Sequence, residues 1–168
     1  MKNIVLIGMP GSGKSTIGVL LAKTLGRKFI DTDLLIQETA GRLLQDIIDT
    51  DGTDTFQQLE EQAILGLHRH RAVIATGGSV VYSRRAMEHL KNHGVVVYLS
   101  IPFEVMEKRL KNIRTRGIVL HKGLTLHDMY NERVPLYHQY ADITIACSDD
   151  HFEDVVSHIA RQLKQYHT

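Results

Sequence analysis

The fold of this chain is decided by one stretch near its start, Ile4-Val5-Leu6-Ile7-Gly8-Met9-Pro10-Gly11-Ser12-Gly13-Lys14-Ser15. Its first four residues form a continuous apolar run that ends at Gly8, which predicts a strand buried on both faces. Apolar residues then return at helical spacing until a stop signal at Gly26. A strand, a glycine-rich loop and a helix in this order are typical of a phosphate-binding unit.

The loop of this unit, from Gly8 to Ser15, fits the pattern G-x-x-x-x-G-K-[ST]. Glycines let backbone N–H groups point at phosphate oxygens, and the N-terminus of the following helix adds a favourable dipole. Lys14 would bring a positive charge to the β- and γ-phosphates, and the Ser15 hydroxyl would bind Mg²⁺. ATP and Mg²⁺ are therefore the predicted cofactors, and the predicted ATP-binding residues of the loop are Gly11, Ser12, Gly13, Lys14, Ser15 and Thr16.

Short apolar runs alternate with helical patterns along the rest of the chain. Further strands are predicted at 28–30, 72–75, 95–99 and 143–146, with helical patterns between them. This alternation predicts an α/β fold of three layers, a central parallel sheet flanked by helices and joined by right-handed crossovers. Because the sequence holds no repeat, low-complexity tract or linker, we expect residues 1–168 to form a single domain.

The composition excludes several classes of partner. A formal net charge of +1 at pH 7 argues against nucleic acid and membrane surfaces, which both select basic proteins. The single cysteine, Cys147, excludes an intramolecular disulfide and fits a reducing compartment. The first apolar run is too short for a signal peptide or a membrane span. We therefore expect a cytoplasmic protein, and we also expect a monomer.

Polar and small residues follow the predicted strands. Asp31 and Asp33 come after the second strand, and Gly77 and Gly78 come after the third. The carboxyl ends of parallel strands share the edge at which ligands bind. On an extended segment both carboxylates would project to one side, where one could hold Mg²⁺ through water while the other orients or deprotonates an attacking hydroxyl. The alternative is a solvated pair or a helix N-cap. The two glycines would let the backbone approach a ligand closely, unless they form an ordinary turn.

Four segments in this order resemble the shikimate kinases, and the resemblance covers nearly the whole chain. They are the phosphate loop, Asp31-Thr32-Asp33, Ile74-Ala75-Thr76-Gly77-Gly78 and Asn131-Glu132-Arg133-Val134-Pro135-Leu136-Tyr137. The resemblance implies a P-loop kinase of aromatic amino acid biosynthesis that passes the terminal phosphoryl group of ATP to a hydroxyl of a small metabolite, shikimate first of all.

The same resemblance implies roles for individual residues. Lys14 and Asp33 would be catalytic, and Ser15 and Asp31 would hold the metal. Arg133 resembles the arginine that pairs with the substrate carboxylate, the alternative being a surface ion pair. The implied substrate-binding residues are Asp33, Gln57, Glu60, Gly77, Gly78 and Arg133.

A polar, glycine-containing stretch at 112–123 lies between two helical patterns, which is typical of a mobile lid. Arg116 in this stretch resembles the family's lid arginine, which closes over the phosphates and would be both catalytic and ATP-binding. Gly117 replaces the proline that usually follows, so Arg114 is an alternative candidate, and a solvated loop arginine is the other interpretation of Arg116.

Two positions depart from the family pattern. Gln57 replaces the arginine of Phe-Arg-x-x-Glu, between the matching Phe56 and Glu60, and Ser79 replaces a third glycine. Arginine offers a carboxylate a charged fork, whereas glutamine offers a neutral amide. We therefore expect Gln57→Arg to lower the KM for shikimate and leave that for ATP unchanged. The alternatives are a kinase of a different, less anionic polyol or hydroxy acid and, in another class, a non-catalytic nucleotide-binding module.

Overall fold

The computed structural model of the chain describes residues 2–111, 118–147 and 151–166. Its strands are β1 (Asn3–Ile7), β2 (Lys28–Asp31), β3 (Ala72–Ala75), β4 (Gly94–Ser100) and β5 (Ile143–Ala146). Its helices are α1 (Lys14–Leu25), α2 (Thr32–Ala40), α3 (Leu44–Asp51), α4 (Thr53–Leu65), α5 (Arg84–His93), α6 (Phe103–Lys111), α7 (Leu126–Tyr140) and α8 (Phe152–Leu163). Short 3₁₀ helices lie at Val80–Tyr82 and Lys164–Tyr166.

The five strands form one parallel sheet in the order β2-β3-β1-β4-β5. β1 lies at the centre, with Ile4 opposite Val73 of β3 on one side and opposite Val95 of β4 on the other. A central parallel strand is covered on both faces, which is why β1 is apolar from Ile4 to Ile7 without alternation. The predicted α/β fold is confirmed.

The strand order also fixes which helices cover each face. The chain runs from β1 outward to β2, then returns through β3 to β4 and β5 on the far side. Right-handed crossovers therefore place α1 on one face and the helices between β2 and β5 on the other. In agreement, α1 packs with α8, while α5 and α7 both contact β4.

Two separate apolar clusters stabilise this arrangement. The larger one joins the sheet to the helices on both faces. The smaller one, which we call the small cluster, lies among α2, α3 and α4, and its buried members are Ile36, Leu44, Ile47, Phe56 and Val119. The helices between β2 and β3 thus have apolar packing of their own, and Val119 connects this packing to the segment that precedes α7.

Within the described ranges, no helix is both long enough and apolar enough to cross a membrane.

Candidate active site

The phosphate loop runs from the end of β1 to the first turn of α1. Gly13 immediately precedes α1 and has a φ of 93°, a left-handed conformation that residues with a side chain rarely adopt. α1 then begins at Lys14, and its first backbone N–H groups have no partner within the helix. This arrangement directs N–H donors and the positive end of the helix dipole to the space in front of the loop.

The Lys14 ammonium group lies inside the loop. Its Nζ donates hydrogen bonds to the carbonyl oxygens of Gly8 and Met9, both at 2.7 Å, and to Ser12 Oγ at 3.3 Å. The residue is only 8% exposed although it carries a charge. A buried charge held by loop oxygens is already positioned when an anion arrives, so little reorganisation is needed.

Ser15 and Asp31 meet at the loop. Ser15 Oγ donates to Asp31 Oδ2 at 2.8 Å, while Asp31 Oδ1 accepts from the backbone N–H of Asp33 at 2.9 Å. Asp31 is thus the N-cap of α2, as one alternative held, and also faces the phosphate loop. A hydroxyl beside a carboxylate is the type of oxygen donor set that Mg²⁺ accepts together with phosphate oxygens.

The expectation of an extended Asp31–Asp33 segment is wrong. α2 begins at Thr32, so Asp33 lies in its first turn rather than on a strand. Capping the helix accounts for the difference, because an aspartate after a strand satisfies the free N–H groups of the next turn. Both carboxylates still line the same cavity.

One cavity of about 240 Å³ joins the phosphate loop to the predicted acceptor residues. This volume is below the roughly 300–1,000 Å³ of typical drug-sized sites and suits a small metabolite. The residues predicted for function that line it are Gly13, Lys14, Ser15, Thr16, Asp31, Asp33, Glu60, Gly77, Gly78 and Arg133. Gly11 and Ser12 lie in the loop itself.

Arg133 is buried on α7, with 1% of its surface exposed, so the alternative of a surface ion pair is wrong. Its Nη2 donates to the carbonyl oxygen of Val119 at 2.5 Å, and its Nε donates to the Tyr82 hydroxyl at 3.3 Å. Its Nη1 lies at Gly78, where an added Cβ would approach it to 3.0 Å. Two of the three guanidinium nitrogens are therefore held by the protein, and the third lies beside the Gly78 backbone.

Tyr137, one turn further along α7, donates from its hydroxyl to the carbonyl oxygen of Gly78 at 2.6 Å. This bond fixes the peptide plane that the Gly78 carbonyl shares with the N–H group of Ser79, and so it also fixes the direction of that N–H group. α7 thereby positions both a guanidinium group and a backbone segment at one end of the cavity.

Glu60 is a buried carboxyl group, 2% exposed, on the face of α4 that lines the cavity. Its Oε1 accepts a hydrogen bond from Ser79 Oγ at 2.8 Å. Among the described residues, Oε2 has no hydrogen-bond partner. The pKa of Glu60 is raised to about 7, chiefly because the carboxyl group is buried. The hydrogen bond from Ser79 and the positive charges of Arg133 and Lys14 lower this pKa, whereas the negative charge of Asp33 raises it.

A raised pKa of Glu60 makes stability depend on pH. The free energy of unfolding should fall by on the order of 1–3 kcal/mol as the pH rises from about 5 to 8, because the unfolded chain releases this proton first. The contribution is fully present below the ordinary pKa of 4.5 and is lost as the pH passes the folded value of about 7. Denaturant melts at several pH values would measure it. Glu60→Gln should flatten this slope, whereas the exposed Glu38→Gln should leave it unchanged; an equal slope in both variants would contradict the prediction.

Gln57 does not line the cavity of about 240 Å³. It lines an adjoining surface depression, together with Ser79 and Tyr82. The geometry of α4 explains this placement, because Phe56 and Glu60 are four residues apart and share the cavity face, whereas Gln57 is rotated by about 100° from Phe56. The assignment of Gln57 to substrate binding therefore stays a prediction, and the structure places the residue in the depression that borders the cavity through Glu60 and Ser79.

Part of the predicted lid, residues 112–117, lies outside the described residues, and Arg116 and its alternative Arg114 lie there. Of the remainder, Ile118 and Val119 line the cavity. Val119 also belongs to the small cluster and accepts the hydrogen bond from Arg133.

Sequence reasoning missed one residue at the loop. Arg109, near the end of α6, donates from Nη1 to the carbonyl oxygen of Gly11 at 2.7 Å. Its guanidinium group also lies 6.0 Å from the centre of the Phe152 ring. Basic residues are common in the last turn of a helix, so nothing in the local pattern distinguished Arg109 from Lys108 or Lys111.

Comparison with known proteins gives one consistent result. A family model described as shikimate kinase matches residues 10–164. The chain is 36% identical to the shikimate kinase of Microcystis aeruginosa, with 98% of this chain and 90% of that protein covered. It is similar in structure to the shikimate kinase of Acinetobacter baumannii in complex with shikimate, with a TM-score of 0.92, 31% identity, and 99% and 94% of the two chains covered. For the shikimate kinase of Aquifex aeolicus the TM-score is 0.82 and the identity 30%, with 98% and 97% covered.

Proposed function

This chain belongs to the shikimate kinase family, and we propose that it transfers the γ-phosphoryl group of ATP to a hydroxyl of shikimate, giving shikimate 3-phosphate and ADP. The observation that carries this proposal is that the phosphate loop, Asp33 and Arg133 line the same cavity. A phosphoryl donor and a small carboxylated acceptor could meet there at reacting distance.

On the acceptor side, Arg133 would bind the substrate carboxylate. Its buried guanidinium group already has Nε and Nη2 engaged by the protein, and Nη1 lies beside Gly78. A carboxylate placed there would meet a fixed positive charge and backbone N–H donors together, which favours an anion over a neutral group.

Asp33 would hold the hydroxyl that attacks phosphorus. Its Oδ1 would lie 2.9 Å from a Cβ added at Gly77, so this carboxylate is packed against the Gly77 backbone in the cavity. A hydroxyl that donates to Asp33 would have its oxygen lone pair directed away from that carboxylate and available for attack. Because phosphoryl transfer has a loose transition state, orientation matters more than basicity.

On the donor side, the loop N–H groups and Lys14 would bind the β- and γ-phosphates. The Lys14 ammonium group would exchange its loop oxygens for phosphate oxygens and stabilise the charge that develops on the leaving ADP. One bond forms between the acceptor oxygen and γ-phosphorus, the bond from γ-phosphorus to the bridging oxygen breaks, and the hydroxyl proton passes to Asp33 and then to solvent.

Ser15 and Asp31 are the residues that would hold Mg²⁺. When bound, the metal would neutralise phosphate charge. The hydroxyl and carboxylate fit this task because they are already in contact at 2.8 Å at the mouth of the loop. In the same proposal Arg116 remains the candidate for an arginine that covers the phosphates.

The proposal also includes a cytoplasmic monomer. The single cysteine supports the reducing compartment. Sedimentation of the purified chain would measure the oligomeric state.

Acceptor-stimulated ATP turnover tests the proposed function. We expect shikimate to stimulate ADP release by the purified chain in the presence of Mg²⁺, with a phosphorylated product visible by ³¹P NMR. The methyl ester of shikimate is the matched control, because it keeps every hydroxyl and removes the charge that Arg133 would bind. Its KM should be at least about tenfold higher. Turnover with another polyol but not with shikimate would overturn the proposed substrate and leave the kinase chemistry intact.

A further inference from the structure

Serine at position 79 requires no unusual backbone. Ser79 has φ −87° and ψ −3°, a right-handed helical conformation that any residue adopts. Gly77 differs, because a Cβ added there would approach Glu60 Oε2 to 2.6 Å. Position 79 can therefore carry a side chain without backbone strain, whereas a side chain at position 77 would displace the carboxylate ends of Glu60 and Asp33.

The side chain of Ser79 makes a buried hydrogen bond to Glu60. Ser79 is 4% exposed and its hydroxyl donates to Oε1 of Glu60, which is itself 2% exposed. A buried carboxylate whose first oxygen is fixed by a donor has little freedom to rotate. The position of its second oxygen is then determined as well.

The second oxygen of Glu60 is directed at the reacting end of the cavity. A Cβ added at Gly77 would lie 2.6 Å from Glu60 Oε2 and 2.9 Å from Asp33 Oδ1. The two oxygens therefore approach the same point beside the Gly77 backbone. Glu60 Oε2, which has no hydrogen-bond partner in the described part of the chain, is available to a ligand group next to the one that Asp33 would hold.

Gln57, the other departure from the family pattern, lies beside the same carboxylate. Residues 57 and 60 are three apart on α4, a spacing at which side chains are neighbours. Both line the depression that Ser79 also lines. An arginine at position 57 could donate to Glu60, whereas the Gln57 amide Nε2 is buried and has no hydrogen-bond partner among the described residues.

Resting on the proposed function, we propose that Ser79 is a positioning residue for acceptor specificity. Its hydroxyl holds Glu60 so that Oε2 accepts a hydrogen bond from a second substrate hydroxyl, adjacent to the one that Asp33 orients. Ser79 thereby supplies to Glu60 the donor that a cation at position 57 would otherwise supply.

The ionised form of Glu60 is the one that accepts this bond. The Ser79 hydroxyl favours that form, since a donor to a carboxylate lowers its pKa, and it opposes the effect of burial. The other titratable and charged groups that face Glu60 are Lys14 from α1, Asp33 from α2, Arg133 from α7 and, around the adjoining depression, Asp54, Glu61, Tyr82 and Arg85.

Two substitutions at position 79 test the role in turnover. Ser79→Ala removes only the hydroxyl, and we expect it to raise the KM for shikimate about tenfold, leave the KM for ATP unchanged and move the ascending limb of kcat/KM to higher pH. Ser79→Thr keeps the hydroxyl and should restore both values. If the alanine variant matches the wild type, or if its defect leaves the pH profile unmoved, the positioning role is overturned.

A measurement without turnover separates this inference from the proposed function. The ¹³C chemical shift of the Glu60 carboxyl carbon, followed by NMR, should show a higher titration midpoint in Ser79→Ala than in the wild type and the wild-type midpoint in Ser79→Thr. If the wild-type protein does not phosphorylate shikimate, the proposed substrate is overturned. The titration would still show whether the Ser79 hydroxyl lowers the pKa of Glu60. Identical midpoints in all three proteins would overturn the positioning role.

The inference that Ser79 replaces a cation at position 57 as the donor to Glu60 can be tested separately. Gln57→Arg should lower the KM for shikimate several-fold more in the Ser79→Ala background than in the wild type, because in the wild type Ser79 already occupies Oε1. Equal gains in both backgrounds would show that the two positions act independently and would overturn this part of the inference.

Discussion

Replacing Lys14 by alanine should lower kcat about 10³-fold, because the variant loses the one side-chain charge of the loop that faces the transferring phosphoryl group. The interaction strengthens as charge moves toward the leaving ADP, so the effect should fall on kcat rather than on the KM for shikimate. Steady-state kinetics with both substrates varied would separate the two.

Folding of the variant must be checked together with its kinetics. Lys14 donates to Gly8, Met9 and Ser12, so its loss also removes hydrogen bonds that hold the loop. Lys23→Ala is the matched control, since Lys23 is an exposed lysine in the last turn of the same helix. It should leave kcat unchanged. Near-normal turnover by a folded Lys14→Ala protein would contradict the assignment of the phosphate loop.

Asp33→Asn should lower kcat/KM for the acceptor about 10²-fold or more while ATP binding changes little. Asparagine keeps the size of the side chain and can still hydrogen bond. What it lacks is the charge that orients the hydroxyl and accepts its proton. Titration with a non-hydrolysable ATP analogue would report binding, and acceptor kinetics would report the loss.

Asp31→Asn is the matched control for Asp33→Asn. Asparagine is as good an N-cap as aspartate, so α2 should remain intact. The single amide oxygen would serve the cap, so an NH₂ group takes the place of Oδ2 beside Ser15. The variant thus loses both an oxygen and the charge that would hold the metal, and it should need a higher Mg²⁺ concentration for half-maximal rate. Loss of ATP affinity in Asp33→Asn, together with normal acceptor kinetics, would show that the roles of the two carboxylates are exchanged.

The fold could be predicted because its signals are local. Strands β1, β3 and β4 are short apolar runs, and Gly26 ends α1 in the left-handed conformation that the sequence indicated. The sequence patterns gave no bounds for helices α2, α3 and α5. α3 has only eight residues, and α5 (Arg84–His93) is so strongly charged that it shows few apolar residues. Their packing against α4 stabilises them, and such contacts are not visible in a local window.

The site was predictable where a motif fixes the geometry and not where the geometry depends on packing between distant segments. Lys14, Asp33 and Arg133 line one cavity, as the family pattern implied. The contact of Arg109 with Gly11 joins residues 98 positions apart, and no spacing rule connects them. The Ser79–Glu60 bond spans 19 residues, so Ser79 could be recognised as a departure from the pattern, but its partner could not.

The small cluster has a consequence for how such an enzyme changes over evolutionary time. Its buried members, Ile36, Leu44, Ile47, Phe56 and Val119, form a cluster separate from the one that surrounds the sheet. Because the two clusters are separate, we expect substitutions among these residues to shift α2, α3 and α4 over the cavity while the layers around β1 keep their packing. Selection would then change the preferred acceptor of a lineage while the residues that bind ATP stay the same. Descendants of one ancestral gene would then diverge first in this helical group and last in the loop from Gly8 to Ser15.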